Sequence, residues 1–405
     1  MMNTGDTAFM LIATAMVMVM TPALALFYGG LVRSKNVLAT TMQSFVCLGI
    51  VSVLWVVYGY SLAFGPDVGH FIGNFDHVFL KGVGLEAGPY ADTIPALLFC
   101  AFQLMFAIIT PALITGAYAE RMKFTAFLTF TILWSTLVYL PVCHWVWGQE
   151  GWLLKMGALD FAGGTVIHIN SGAAALVAAL VLGKRKGYGR DSMHPHNLPM
   201  TVLGAGLLWF GWFGFNAGSA LSAGPIAVLA LFTTQVATGA GALTWGLAEW
   251  RIQGKPTTLG VASGALAGLV AITPGAGFVS PVSAIIMGGM AGIICYLAVL
   301  AKTRMGYDDS LDVVGIHGVG GIWGALATGI FASSVVNPAG NGLLNGNPHQ
   351  LVVQAIGVGA TIAYSVVVTF IILKIIDVII GLRVSSDDET QGLDLTQHSE
   401  VGYTL

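Results

Sequence analysis

Of 405 residues, only 9% are charged while 56% are hydrophobic, against roughly 25% charged in a soluble domain. A water-soluble fold of this length has too little interior to bury that much apolar surface, so the solvent is a lipid bilayer. The net charge of -3, from 16 basic and 19 acidic residues, excludes the basic footprint of a nucleic-acid binder. Cys47, Cys100, Cys143 and Cys295 stand singly in apolar stretches, which argues against a disulfide framework or a thiolate metal site.

Stretches free of Asp, Glu, Lys and Arg predict single membrane-spanning helices over 7–32, 36–66, 93–119, 124–149 and 161–183. The longer stretches 192–248, 256–301 and 313–373 each hold two helices, parted by turn-rich patches at 218–225, 273–281 and 332–350. The expected architecture is therefore an all-α membrane protein of eleven spans, with its termini on opposite sides. Basic residues from Arg33 to Arg383 fall on the side of the C-terminus, leaving only Lys81 and Lys155 on the other. Since Lys and Arg accumulate in the cytoplasm, the N-terminus is expected outside and the tail inside. Glycine pairs four apart (Gly214 and Gly218, Gly264 and Gly268, Gly288 and Gly292, Gly320 and Gly324) suit closely packed helices. They lack the strand-to-helix context of a phosphate loop.

Two histidines need an explanation. His168 lies eight residues into span five, about 12 Å deep, and His317 five residues into span ten, about 7.5 Å from the opposite surface. Two readings stand, a structural pair bonded to neighbouring helices or a pair lining a pathway. The starts of the two spans, Asp160-x-x-Gly163 and Asp312-x-x-Gly315, give the faint likeness expected of inverted repeats and favour the pathway. No further metal ligands share these spans, so no metal is expected. Asp160 suits a helix N-cap, acting on a cation through its field. Phe102, Phe106, Trp145, Trp147, Trp212, Phe213 and Phe215 cluster near the outer ends of their spans, where aromatic faces attract small cations as well as the interface.

The segments ALFYGGLVRSKN (25–36), GAYAERMKF (116–124), DFAGGTVIHINSG (160–172), PHNLPM (195–200), WFGFNAGS (212–219) and GIHGVGGIWG (315–324) together resemble the ammonium transporter family, the Amt, MEP and Rh proteins, and its bacterial Amt branch best. The resemblance implies a homotrimer with one pore per subunit, built of two inverted five-helix repeats, 7–183 and 192–331, and a peripheral eleventh helix at 350–383. It implies an outer recruitment site for the ammonium ion at Phe106, Trp147, Ser219 and Trp212, and a gate of stacked rings at Phe106 and Phe215. It also implies an essential carboxylate at Asp160 and twin pore histidines at His168 and His317. The segment 384–405 resembles a cytoplasmic regulatory tail, matched at Gly392, Asp394, His398 and Tyr403, that couples the pores and meets PII-type signal proteins. Departures are Ala23, the bulky FQLMF at 102–106, and Ser399 in place of glycine.

The expected activity is uptake of ammonium across the cytoplasmic membrane. The ion is bound outside, deprotonated, and conducted as ammonia, with separate proton transfer. Alternatives are a passive gas channel of Rh type, which would lack the Trp147 and Ser219 site, and an ammonium sensor, for which the 22 residues after Arg383 (405 − 383) leave no room for a signalling domain. Neither a nucleophile, a triad nor a cofactor loop is visible, so no enzyme and no cofactor are expected.

Overall fold

Lipid offers no partner to backbone N–H and C=O groups, so a chain this apolar must satisfy them inside helices. The computed structural model describes residues 1–404. Its spans are Thr4–Leu31, Ser34–Phe64, Ala96–Tyr118, 124–147, Gly164–Leu182, Leu198–Gly218, Pro225–Gln253, Thr258–Ile272, Pro281–Met305, Val314–Phe331 and Pro348–Ile379, numbered one to eleven. All but the eighth are long and apolar enough to cross a bilayer. The turn-rich patches mark the breaks because they carry the start signals. Pro225, Pro281 and Pro348 occupy the first helical position, where a missing N–H costs nothing, and Ser280 caps span nine through the Ser283 N–H. Hydropathy did not reveal two short antiparallel hairpins between spans two and three, Asp67–Val68 with Ile72–Gly73 and Ala87–Gly88 with Ala91–Pro95.

Span one packs on two and three as span six packs on seven and eight, and span three reaches five as span eight reaches ten. These matching sets form two five-helix repeats. An odd number of spans per repeat inverts the second relative to the first. The repeats meet where one crosses six and five crosses ten. At the second crossing a Cβ on Gly172 would lie 2.3 Å from the Gly318 Cα, so only glycine admits this approach. Span eleven lies across spans four, five and ten at the periphery.

The basic loops converge at one end of the bundle. The fully buried Glu120 carboxylate accepts from Arg33 (2.7 Å) and Arg185 (3.2 Å), and Asp308 holds the other edge of Arg185 at 2.8 Å. Burial alone would raise both carboxyls, but Arg185 beside each, with Arg33 at Glu120, brings them below the usual carboxylate range. The stability this gives is present above that range and is lost only as pH falls through the depressed values.

The tail docks beneath this network. Its Glu389 carboxylate accepts from Arg383 (2.7 Å) and from the Lys186 backbone N–H. Asp394 accepts from the Leu38 (3.0 Å) and Ala39 (2.8 Å) N–H groups, capping span two from outside its own helix. His398 packs edge-on against Phe124, and Tyr403 shares a 2.9 Å hydrogen bond with His196. Gly392 turns the chain at φ +110°. Ser399 sits in the left-handed region at φ +56°, a conformation costing an L-residue about 1–2 kcal/mol. Ser399→Gly is therefore expected to stabilise the docked tail by about 1 kcal/mol. Slower hydrogen exchange of the 394–403 amides is the measurement that checks it.

Candidate substrate pathway

Span five begins with a backbone problem, since its first N–H groups have no residue one turn earlier to bond. Asp160 solves it. Its Oδ1 accepts from Gly163 (2.8 Å) and Gly164 (2.7 Å), and its Oδ2 from Thr165 (2.7 Å) and Val166 (3.3 Å). Gly163 makes the turn at φ +110°, which a side chain would resist. The helix then opens as a π-helical turn, Gly164–Ile169, which carries His168. Asp160 also fixes a neighbour, because its backbone C=O accepts the Trp147 indole N–H at 2.9 Å.

Span ten repeats the arrangement from the opposite end. Val314–Val319 is again π-helical and carries His317. The carboxylate at its head is Asp309, fully buried and accepting the Val314 N–H at 2.8 Å. Asp309 precedes His317 by eight residues, as Asp160 precedes His168. The likeness read in the sequence at Asp312 is thus displaced by three positions. Asp312 is instead an ion-pair partner of Lys302. The signal that locates Asp309 is the equal spacing to histidine, which the glycine match obscured.

The two π-helical turns bring the imidazoles together, Nδ1 to Nδ1 at 3.2 Å with ring centroids 5.2 Å apart. A hydrogen bond between two neutral rings at this distance requires one to donate and the other to accept. Their tautomers are therefore opposite, and the two Nε2 atoms offer one acceptor and one donor. The His168 Nε2 is buried with no partner among the described residues. Beside the rings is a narrow cavity of about 20 Å³, walled by apolar side chains such as Leu208, Leu266 and Ile316. That space is about what one water-sized molecule needs.

Phe106 and Phe215 stack at 4.2 Å and 20° above the histidines. Trp147 meets Phe106 edge-on at 5.8 Å. On its far side a wider vestibule of about 240 Å³ is lined by Trp147, Asp160, Ser219 and Gln103 among others. Trp147 and Ser219 line the vestibule, whereas Phe106, expected there too, lies behind Trp147 as part of the phenyl stack. Trp212 is not part of the vestibule, correcting its expected place there. It stacks on His168 at 5.4 Å below the phenyl pair, and its indole N–H donates to Thr273 at 2.9 Å. Span six explains the difference, because Trp212 lies about one turn farther from the vestibule than Phe215. No group of three or more His, Cys, Asp or Glu fit to hold a metal lies among the described residues.

The model of the Ammonium Transporter Family matches residues 8–403. The chain belongs to that family. It is similar to the ammonium transporter of Bacillus subtilis, with 53% identity over 99% of each chain, and to ammonium transporter Amt1 of Archaeoglobus fulgidus, with 49% identity over the whole of both. Among solved structures it resembles Saccharomyces cerevisiae Mep2, with 39% identity and a TM-score of 0.90 over 95% of this chain and 88% of that one. A structure titled Sensor Amt Protein shares the fold at a TM-score of 0.90 with 29% identity, over 97% of this chain and 98% of that one.

For this family member the cap makes a stability prediction. Asp160→Ala leaves four N–H groups without an acceptor and is expected to cost about 2 kcal/mol or more. Asp160→Asn keeps one oxygen, and so serves only one of the two N–H pairs. Thermal unfolding midpoints in detergent should rank wild type above Asn and Asn above Ala.

Proposed function

We propose that the protein takes up ammonium across the cytoplasmic membrane with its N-terminus outside and its tail inside. NH4+ is recruited in the vestibule and loses its proton there. It crosses as NH3 past His168 and His317, while the proton crosses separately, so net transport carries charge. The observation that carries this reading is the narrow apolar cavity beneath the Phe106 and Phe215 stack. A cation there would have to shed its hydration for walls that offer little in return, at a cost well above the several kcal/mol of a neutral polar group. Ammonia carries no charge and fits the space.

The vestibule supplies what a donor-only cation needs. The Trp147 face gives about 0.5–2 kcal/mol, depending on desolvation. The Ser219 hydroxyl donates its proton to the Phe215 C=O at 2.9 Å, which leaves its oxygen as an acceptor. Both Asp160 oxygens are engaged by backbone N–H groups, so the carboxylate acts on the ion through its field. Below the gate, the paired tautomers let ammonia donate to one histidine Nε2 and accept from the other. The same reading makes the protein a homotrimer with one pore per subunit. Its docked tail couples the pores and receives a PII-type signal protein, which is supported by the match of Gly392, Asp394, His398 and Tyr403 to the family pattern.

A passive ammonia channel is the rival, and the ion-binding features of Trp147 and Ser219 favour the charged substrate. With purified protein in liposomes on a solid-supported membrane, an ammonium pulse should evoke a current. A passive gas channel gives none. Replacing both His168 and His317 by Leu is expected to abolish that current or its selectivity for ammonium over potassium while the protein still elutes at wild-type size.

A further inference from the structure

The chain immediately ahead of Asp160 is irregular, lying between the short helix Trp152–Met156 and span five. The Gly157 C=O and both backbone groups of Leu159 are satisfied from span eleven. Gln354, buried with 3% exposure, holds both groups of Leu159: its Oε1 accepts the Leu159 N–H at 2.8 Å, and its Nε2 donates to the Leu159 C=O at 2.8 Å. The second Nε2 hydrogen goes to the Ala325 C=O of span ten at 3.0 Å. One turn earlier, Gln350 donates to the Gly157 C=O at 2.8 Å and to the Gln354 Oε1 at 3.3 Å. The amide orientation is fixed, because a flipped Gln354 would set oxygen against two carbonyls and nitrogen against an N–H.

A glutamine buried in a bilayer is costly unless its groups are used, and here every one is. Packing alone would be served by leucine. We propose that Gln354 is a positioning residue for Asp160, fixing Leu159 so that the next carboxylate meets its four N–H partners and the next C=O meets Trp147. This rests on the role given to Asp160 in transport. Span eleven then does more than cover the bundle. Through Gln354 it joins the head of span five to span ten, and Ser365 continues the join by donating to the Asn170 C=O of span five at 3.0 Å.

Gln354→Glu makes the claim testable, because its side chain can switch. A protonated carboxyl has one donor and one acceptor and reproduces the Leu159 pair. A carboxylate only accepts, and would face the Leu159 and Ala325 carbonyls. The expected result is an ammonium-evoked current near wild type at acidic pH that falls about ten-fold relative to wild type at alkaline pH, as small displacements at a reacting site do. Gln354→Leu is expected to be low at every pH. Elution profile and thermal midpoint at each pH separate misplacement from unfolding. Should the Glu variant not fold, Gln354→Leu and Gln350→Leu carry the test. A wild-type current from Gln354→Leu, or a ratio of the folded Glu variant to wild type that is flat with pH, overturns the proposal. In the same assay a silent Asp160→Ala beside a normal Gln354→Leu sinks this inference alone, whereas a normal Asp160→Ala sinks the reading beneath it.

Discussion

Four backbone N–H groups at the head of span five point at one carboxylate, and the pathway is arranged around that fact. The head of a helix at the edge of a bilayer must find acceptors, and water is scarce where aromatic rings close the mouth. Asp160 supplies all four. Its position then fixes the turn at Gly163, the π-helical entry of span five and the indole of Trp147. The π-helical turn in its turn aims His168 at the crossing of spans five and ten. A charge placed for structural reasons thus also sets the field felt in the vestibule.

The second repeat answers with Asp309 and His317 from the opposite side, and the imidazoles meet where Gly172 and Gly318 let the helices touch. Two rings sharing one proton form a polar pair that presents a donor and an acceptor with no net charge. In the proposed mechanism, such a pair in an otherwise mostly apolar cavity serves a neutral molecule that both donates and accepts. At the other end of the bundle, buried ion pairs at Glu120 and Asp308 tie the loops together, and the tail is fastened to the same loops through Glu389 and Asp394. The heads of spans two and four and the end of span five are therefore held by the chain that follows span eleven.

Much of this was legible in the sequence, because membrane insertion writes its constraint into local composition. Charge-free stretches gave the spans to within a few residues, and their turn-rich patches gave the paired helices. His168 and His317 stood out as ionisable groups inside apolar runs. The family resemblance assigns Trp212 to the vestibule, and in span six, with three aromatic residues in four, sequence alone does not say which face each occupies. The glycine spacing of Asp312 imitates that of Asp160 and hides Asp309, whose distance to histidine is the true match. Gln354 gave a signal of another kind. Gln350, Gln354, Thr361, Ser365 and Thr369 form a polar stripe at helical spacing along an otherwise apolar span, which marks the buried face of a helix that hydropathy presents as uniform. What that stripe bonds to, the backbone of Leu159 some 195 positions away, is set only by the tertiary fold.

The proposed neutral passage requires the cation to stop at the Phe106 and Phe215 rings. Anomalous diffraction from crystals soaked in caesium, a monovalent cation that cannot lose a proton, tests this most directly. The expected result is caesium density in the vestibule against Trp147 and Ser219, with none between the phenyl stack and the two histidines. Caesium density beside His168 and His317 would contradict a passage that admits only the neutral molecule.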